Sequence, residues 1–195
     1  MSTAMAVAIA ALWVVVIALA IAVFALARQI GVLYERVAPM GALMLDEGPK
    51  VGERAPSFKL DALDGSTVGI GQPSQHGELV FFVSPTCPVC KKLIPVLRSI
   101  AHAERDWLRV ILASDGDEAR QRAFYEKAGL ADFPYVLSTE LGMTFKVAKL
   151  PYAVLLDESG TVRAKGLINS REQLESLFTA KELGVESIQQ YLQKA

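Results

Sequence analysis

The only two cysteines of this 195-residue chain stand three positions apart, as Cys87-Pro88-Val89-Cys90. They follow a short, mostly apolar run, Glu78 to Val83, and open a helical pattern through Leu93, Val96, Leu97 and Ile100. A run of that kind reads as a strand buried on both faces. One helical turn after it brings the two sulfurs to bonding distance, so the pair can cycle between dithiol and disulfide. The first sulfur falls at the helix start, where unpaired N–H groups and the helix dipole stabilise a thiolate. A thiol–disulfide exchange centre is therefore the expected chemistry. The rival, a zinc half-site, needs two further ligands. The only histidines, His76 and His102, lie far apart and form no ligand pair.

A second feature divides the chain. No charge occurs before Arg28, and residues 5–27 are almost wholly apolar. As a helix they extend roughly 34 Å, enough to cross the hydrocarbon core of a bilayer. Ala25-Leu26-Ala27 resembles a cleavage site, but there is no basic leader and the apolar run is about twice a normal signal-peptide core. A buried core helix would carry a polar face. The expected organisation is a transmembrane anchor over 1–27, a juxtamembrane connector over 28–50 and a globular domain over 51–195.

Lys and Arg number 20 and Asp and Glu 21, all beyond the anchor. That balance argues against a nucleic-acid partner and leaves lipid, contacted through 5–27, as the expected non-protein surface. Arg28 and Arg36 follow the anchor and no basic residue precedes it, a pattern that alone keeps the domain in the cytoplasm. Disulfide exchange favours the oxidising side. The expectation adopted is a single pass through the inner membrane with the domain in the periplasm.

Ile30, Leu33, Tyr34 and Val37 extend the helical pattern until Pro39, and Gly41, Gly48 and Pro49 mark a loop. Phe58–Ala62 and Thr67–Ile70 flank Asp64-Gly65 as a hairpin. Leu108–Ala113 is expected as a strand, 115–130 as a helix, Tyr135–Leu137 as a short strand and 138–147 as a helix. Tyr152–Asp157 and Thr161–Lys165 form an antiparallel pair around Ser159-Gly160. Ser170 and Gln173 have capping-box spacing for a helix burying Leu174, Leu177 and Phe178, and Val185, Ile188 and Leu192 suggest a last short helix. The order implies a mixed α/β sheet covered by helices.

Phe81-Phe82-Val83 leading into Cys-X-X-Cys, Pro95 five residues past Cys90, and Pro151 opening a strand resemble the thioredoxin superfamily over about Val51–Gly184. Val51-Gly52-Glu53-Arg54-Ala55-Pro56-Ser57-Phe58 and Leu63-Asp64-Gly65 are similar to its membrane-anchored TlpA and ResA branch. Closer still is the MauD family of methylamine utilisation accessory proteins. That likeness rests on Arg28-Gln29-Ile30-Gly31-Val32-Leu33, on Ser84-Pro85-Thr86-Cys87-Pro88-Val89-Cys90-Lys91-Lys92 and on Lys149-Leu150-Pro151-Tyr152-Ala153-Val154. It implies a thioredoxin-like fold, a cis peptide bond before Pro151, and no cofactor beyond a redox-active Cys87–Cys90 disulfide. It also implies a role in maturing methylamine dehydrogenase, with that enzyme's disulfide-rich small subunit as partner and an unidentified redox partner resetting the cysteines.

Within this resemblance Cys87 is the attacking sulfur and Cys90 resolves the mixed disulfide. Thr86, Pro88, Val89, Leu150 and Pro151 line the substrate groove, where an extended peptide adds to the strand edge. The positions at which thioredoxin-like reductases often carry a buried acid hold Phe81 and Leu93, and Thr86 stands where tryptophan is common. Oxidation or isomerisation is therefore favoured over reduction. An anchored chaperone using the same groove, and a reductase serving another periplasmic protein, stay open. A peroxidase finds Ser84 three residues before Cys87 but lacks the proline four further back, where Val80 stands.

Overall fold

The computed structural model describes residues 2–36 and 48–183. The expected stop at Pro39 and the last short helix with Val185, Ile188 and Leu192 lie outside them. The chain forms two compact units, Met1–Leu45 and Asp46–Ala195.

The first unit is a single helix, α1 (Thr3–Arg36), 34 residues long. The helix continues through Ile30, Leu33 and Tyr34, as their spacing leads one to expect. Its apolar side chains at Leu12, Trp13, Val14, Val15, Val16 and Ile17 are all exposed. Six consecutive positions cover every face of a helix. Among the described residues no helix is long and apolar enough to cross a membrane.

The second unit is built on a five-stranded mixed sheet. A hairpin precedes it, β1 (Phe58–Asp61) with β2 (Thr67–Ile70), paired antiparallel around Asp64-Gly65 as expected. Then follow β3 (Gly77–Phe82), α2 (Pro88–Ala103), β4 (Leu108–Ser114), α3 (Glu118–Lys127), a 3₁₀ turn (Leu130–Asp132), β5 (Tyr135–Leu137), α4 (Thr139–Thr144), β6 (Tyr152–Leu156), β7 (Val162–Leu167) and α5 (Arg171–Leu183). The strand order is β5-β4-β3-β6-β7. β3 and β4 pair in parallel, as do β4 and β5, while β6 runs antiparallel to both β3 and β7.

Strand alternation sorts the core into two layers. Leu79, Phe81 and Val83 join Leu108, Val110, Leu112, Ala153 and Leu155 beneath α2, α3 and α5. Val80, Phe82, Ile111, Ala113, Val154 and Leu156 face the other way, onto Leu141 and Phe145 around α4 and Val68 and Ile70 of the hairpin. β3 is buried along its whole length, which is why its sequence lacks a polar face.

Two helices are shorter than their sequence patterns suggest. α3 starts only after Asp117, whose carboxylate accepts from the Arg120 N–H at 2.9 Å. It ends before Gly129, which adopts the left-handed region at φ 62° and turns the chain into the 3₁₀ turn. α4 starts after Ser138, whose hydroxyl accepts from Leu141 N–H. At α5 the Ser170 hydroxyl accepts from Gln173 N–H, but the Gln173 side chain accepts from the Asn169 N–H rather than that of Ser170. The reciprocal cap is thus displaced by one residue.

At the end of the sheet away from the cysteines three loops interlock. Gly71 and Gly160 hold φ of 71° and 80°, and a Cβ on Gly71 would meet the Pro56 carbonyl at 2.6 Å. Ala55 N–H donates to Gly160 O at 2.9 Å.

Candidate active site

β3 emerges from the sheet into Ser84-Pro85-Thr86, and α2 begins directly afterwards. Pro88 occupies the first turn, where its missing N–H leaves no gap and its ring pre-sets the helical φ. Cys87 is the N-cap, with extended backbone at φ −87° and ψ 109°. Cys87 and Cys90 form a disulfide with their Cα atoms 5.3 Å apart. Cys87 Sγ also accepts a hydrogen bond from Cys90 N–H at 3.1 Å. Cys87 is half-buried while Cys90 is fully buried on the α2 face formed with Leu93, Ile94, Leu97 and Ile100. Those positions, three, four and seven apart, are one stripe of a helix.

The connecting loop is closely bonded. The Ser84 carbonyl accepts from Cys87 N–H at 3.1 Å. The Ser84 and Thr86 hydroxyls lie 2.9 Å apart, and Thr86 N–H donates to Ser84 Oγ. Thr86 and Pro88 are exposed and Val89 half-buried.

Sheet register brings the second half of the expected groove to the same end. Phe82, the last residue of β3, pairs with Tyr152, the first of β6. Leu150 and Pro151 precede Tyr152, the bond between them is cis, Leu150 is 39% exposed and Pro151 is buried. The Pro151 carbonyl accepts from Ile168 N–H at 3.0 Å, so this oxygen faces β7. Leu167, its neighbour in that strand end, is exposed as well. Lys91 and Lys92 point to solvent, and His102 lies exposed in the last turn of α2.

Phe81 and Leu93 are both buried in the layer that holds Cys90, so neither position supplies a proton-moving acid. The buried carboxylates stand elsewhere. Glu78 lies at the opposite end of β3, roughly 13 Å of strand before Phe82, and accepts from Gly71 N–H at 3.0 Å. Burial raises its pKa, against the lowering influence of that bond and of Arg109. Asp157 caps the β6–β7 turn. Burial acts to raise its pKa, but bonds from Ser159, Thr161 and Arg163 outweigh it and hold the carboxyl at about 2.

Residues that no sequence pattern singled out lie beneath the cysteine loop. Ser114 donates to the Val83 carbonyl at 2.9 Å. The buried Tyr135 hydroxyl donates to Gln121 Oε1 at 2.5 Å, and Gln121 Nε2 donates to the Asp115 carbonyl at 2.5 Å. Burial pushes the Tyr135 phenol up to about 12, so it stays a donor. Among the described residues no group of three or more His, Cys, Asp or Glu side chains is placed to hold a metal ion.

The Redoxin family model matches residues 50–181. The Methylamine utilization protein MauD of Methylorubrum extorquens is 48% identical over 183 residues, covering 93% of this chain and 88% of that protein. The chain belongs to the MauD family. The MauD of Paracoccus versutus is 44% identical over 181 residues, 93% of this chain and 91% of its own. Both alignments take in far more than the redox domain. Among solved structures, the exposed lipoprotein thioredoxin of Streptococcus pneumoniae superposes with a TM-score of 0.58 at 20% identity, covering 65% of this chain and 99% of that one. That likeness establishes the thioredoxin-like fold. MauD proteins of this type thus carry a thioredoxin-like domain with a disulfide-related function, and such domains work through their own cysteines without a bound cofactor.

Proposed function

We propose that the chain is a membrane-anchored thiol–disulfide oxidoreductase, working as oxidase or isomerase, that matures the small subunit of methylamine dehydrogenase. One observation carries the chemistry: Cys87 is half-exposed at the N-terminus of α2 and disulfide-bonded to a fully buried Cys90. In oxidation, a substrate thiolate attacks Cys87 Sγ. The Cys87–Cys90 bond breaks, and Cys90 leaves with the bonding electron pair and takes up a proton. A second substrate thiol then attacks the mixed disulfide, so two electrons pass to the cysteine pair and the redox partner reoxidises it. In isomerisation the reduced Cys87 thiolate attacks one sulfur of a wrong substrate disulfide, and the other substrate sulfur leaves as a thiolate. A different substrate thiolate then attacks the mixed disulfide, forming the new pairing and releasing Cys87 reduced, with no net transfer of electrons.

Cys90 N–H and the start of α2 stabilise the Cys87 thiolate in both directions. Thr86, Pro88, Val89, Leu150 and Pro151 form the groove, an arrangement supported by the register that brings Tyr152 beside Phe82. The apolar positions at both strand ends, Leu150 and Leu167, suit a substrate still exposing side chains destined for its interior.

The anchor is residues 5–27, with the domain from 51 onward in the periplasm. Support comes from the 34-residue length of α1 and from its apolar side chains exposed around the helix, which suit lipid rather than water. The small subunit enters through the MauD relationship, because a methylamine-utilisation protein built around a disulfide needs a disulfide-bearing client. Replacing Cys87 with Ala in the native host is the test. Depletion of correctly bridged small subunit is the expected result. Normal levels would remove the exchange mechanism and leave an anchored chaperone.

A further inference from the structure

The cysteine loop hangs from the end of β3, and one side chain from the neighbouring strand holds the point of attachment. Val83 N–H donates to the Ala113 carbonyl at 2.9 Å, which continues the β3–β4 ladder beyond Phe82. The Val83 carbonyl accepts from the Ser114 hydroxyl at 2.9 Å. Both ends of that linkage are buried, Val83 at 2% exposure and Ser114 at 6%, so water does not replace it at low cost.

The proton directions around Ser114 are determined by its neighbours. Gln121 Nε2 is committed to the Asp115 carbonyl, which turns Gln121 Oε1 toward Tyr135 as an acceptor. The phenol must therefore spend its one proton on Gln121. The Ser114 hydroxyl neighbours both the phenol oxygen of Tyr135 and the Val83 carbonyl, and it donates to the carbonyl at 2.9 Å. Strand alternation places Ser114 with Leu112 on the face that packs α2, the face that also buries Cys90, Val83 and Tyr135.

From Val83 the constraint passes along a short covalent path. The Val83 carbonyl sets the plane of the peptide entering Ser84. The Ser84 carbonyl then receives Cys87 N–H at 3.1 Å, and Cys87 Sγ in turn receives Cys90 N–H. We propose that Ser114 is a positioning residue for disulfide exchange: through the Val83 carbonyl it holds the loop so that Cys87 caps α2 with its sulfur on the Cys90 N–H. In a site whose Phe81 and Leu93 provide no charge, thiolate stabilisation depends on that backbone geometry. This inference rests on the reading of Cys87 as the attacking sulfur.

The test uses the full chain with the cysteines reduced, and follows alkylation of Cys87 across pH. In Ser114→Ala the midpoint of Cys87 reactivity rises, with the thiolate population at neutral pH falling by roughly threefold to tenfold, the equivalent of one net hydrogen bond. Ser114→Thr keeps the hydroxyl and restores the profile. Asp157→Asn weakens a bonded turn between β6 and β7, at the other end of the sheet from the cysteines. It lowers stability at pH 7 but leaves the midpoint in place. An unchanged midpoint in Ser114→Ala, or an equal shift in Asp157→Asn, overturns the proposal. Alkylation needs no substrate, so this result is independent of the small subunit. If Cys90 rather than Cys87 alkylates in the unmodified chain, it is the assignment of the attacking sulfur that fails.

Discussion

The Sγ of Cys87 receives the backbone N–H of Cys90 at 3.1 Å, although the two residues are also joined through their sulfurs. The bond makes Cys87 both the cap of α2 and one half of the redox pair. When the disulfide opens, the same N–H is already aimed at the sulfur that has to carry negative charge. Cys90, by contrast, is fully buried at 0% exposure. The two sulfurs are chemically unequal by construction.

That inequality sets the order of reaction. After reduction, Cys87 alkylates first, with a midpoint below the ordinary thiol value of about 8.5, and Cys90 stays unreactive in the folded protein. Mass spectrometry of partially alkylated protein checks this. Modification of Cys90 ahead of Cys87 at neutral pH would contradict the assignment.

Gly71 tests the interlocked loops. Its Cβ would meet the Pro56 carbonyl at 2.6 Å while φ is 71°, so Gly71→Ala combines a backbone clash with a disfavoured conformation. Gly52 has a similar φ of 88° but open space around it. Gly52→Ala is expected to cost about 1 kcal/mol, and Gly71→Ala at least roughly 3 kcal/mol. Urea unfolding of the two variants separates clash from conformation.

Asp157 stabilises the fold at neutral pH. Its folded pKa of about 2 lies below the ordinary aspartate value of 3.8, so the contribution is present above pH 3.8 and is lost as pH falls toward 2. The shift corresponds to on the order of 2 kcal/mol. Asp157→Asn should lower stability at pH 7, and its deficit should shrink in acid, as followed by denaturant midpoints.

Glu78 has the opposite sign. Its folded pKa is raised, chiefly by burial, so its stabilising contribution is complete below the ordinary Glu value and is lost as pH rises through the raised one. Gln in its place still accepts from Gly71 N–H without a buried charge. Glu78→Gln should therefore gain stability relative to the native chain as pH rises from 4.5 toward 7. A constant difference across that range would show that the carboxylate is not desolvated.

Membrane orientation has a direct readout at the same cysteine. With the outer membrane opened and the inner membrane intact, an impermeant thiol reagent should label reduced Cys87. Labelling only after the inner membrane is breached would place the domain in the cytoplasm, on the side indicated by Arg28 and Arg36.

Local sequence was enough for the elements whose signals are local. Leu79–Val83 had no polar face to offer a solvent layer, so it was readable as a central strand. Asp64-Gly65 required a turn, and Cys87-Pro88-Val89-Cys90 announced a helix start and its chemistry together. Tertiary structure alone decided where polar groups find partners. α3 begins after Asp117 because that carboxylate meets Arg120 N–H, whereas the sequence offers Asp115, Gly116 and Asp117 alike as a start. Glu78 looked like the polar start of a strand, and became a buried acceptor only when the loop at Gly71 closed over it. Ser114, Gln121 and Tyr135 lie on β4, α3 and β5, and no periodicity relates them. Hydrophobic burial repeats with the geometry of a strand or helix and so leaves a record along the chain. A hydrogen bond between distant segments depends on register and loop closure, which exist only after the sheet has assembled.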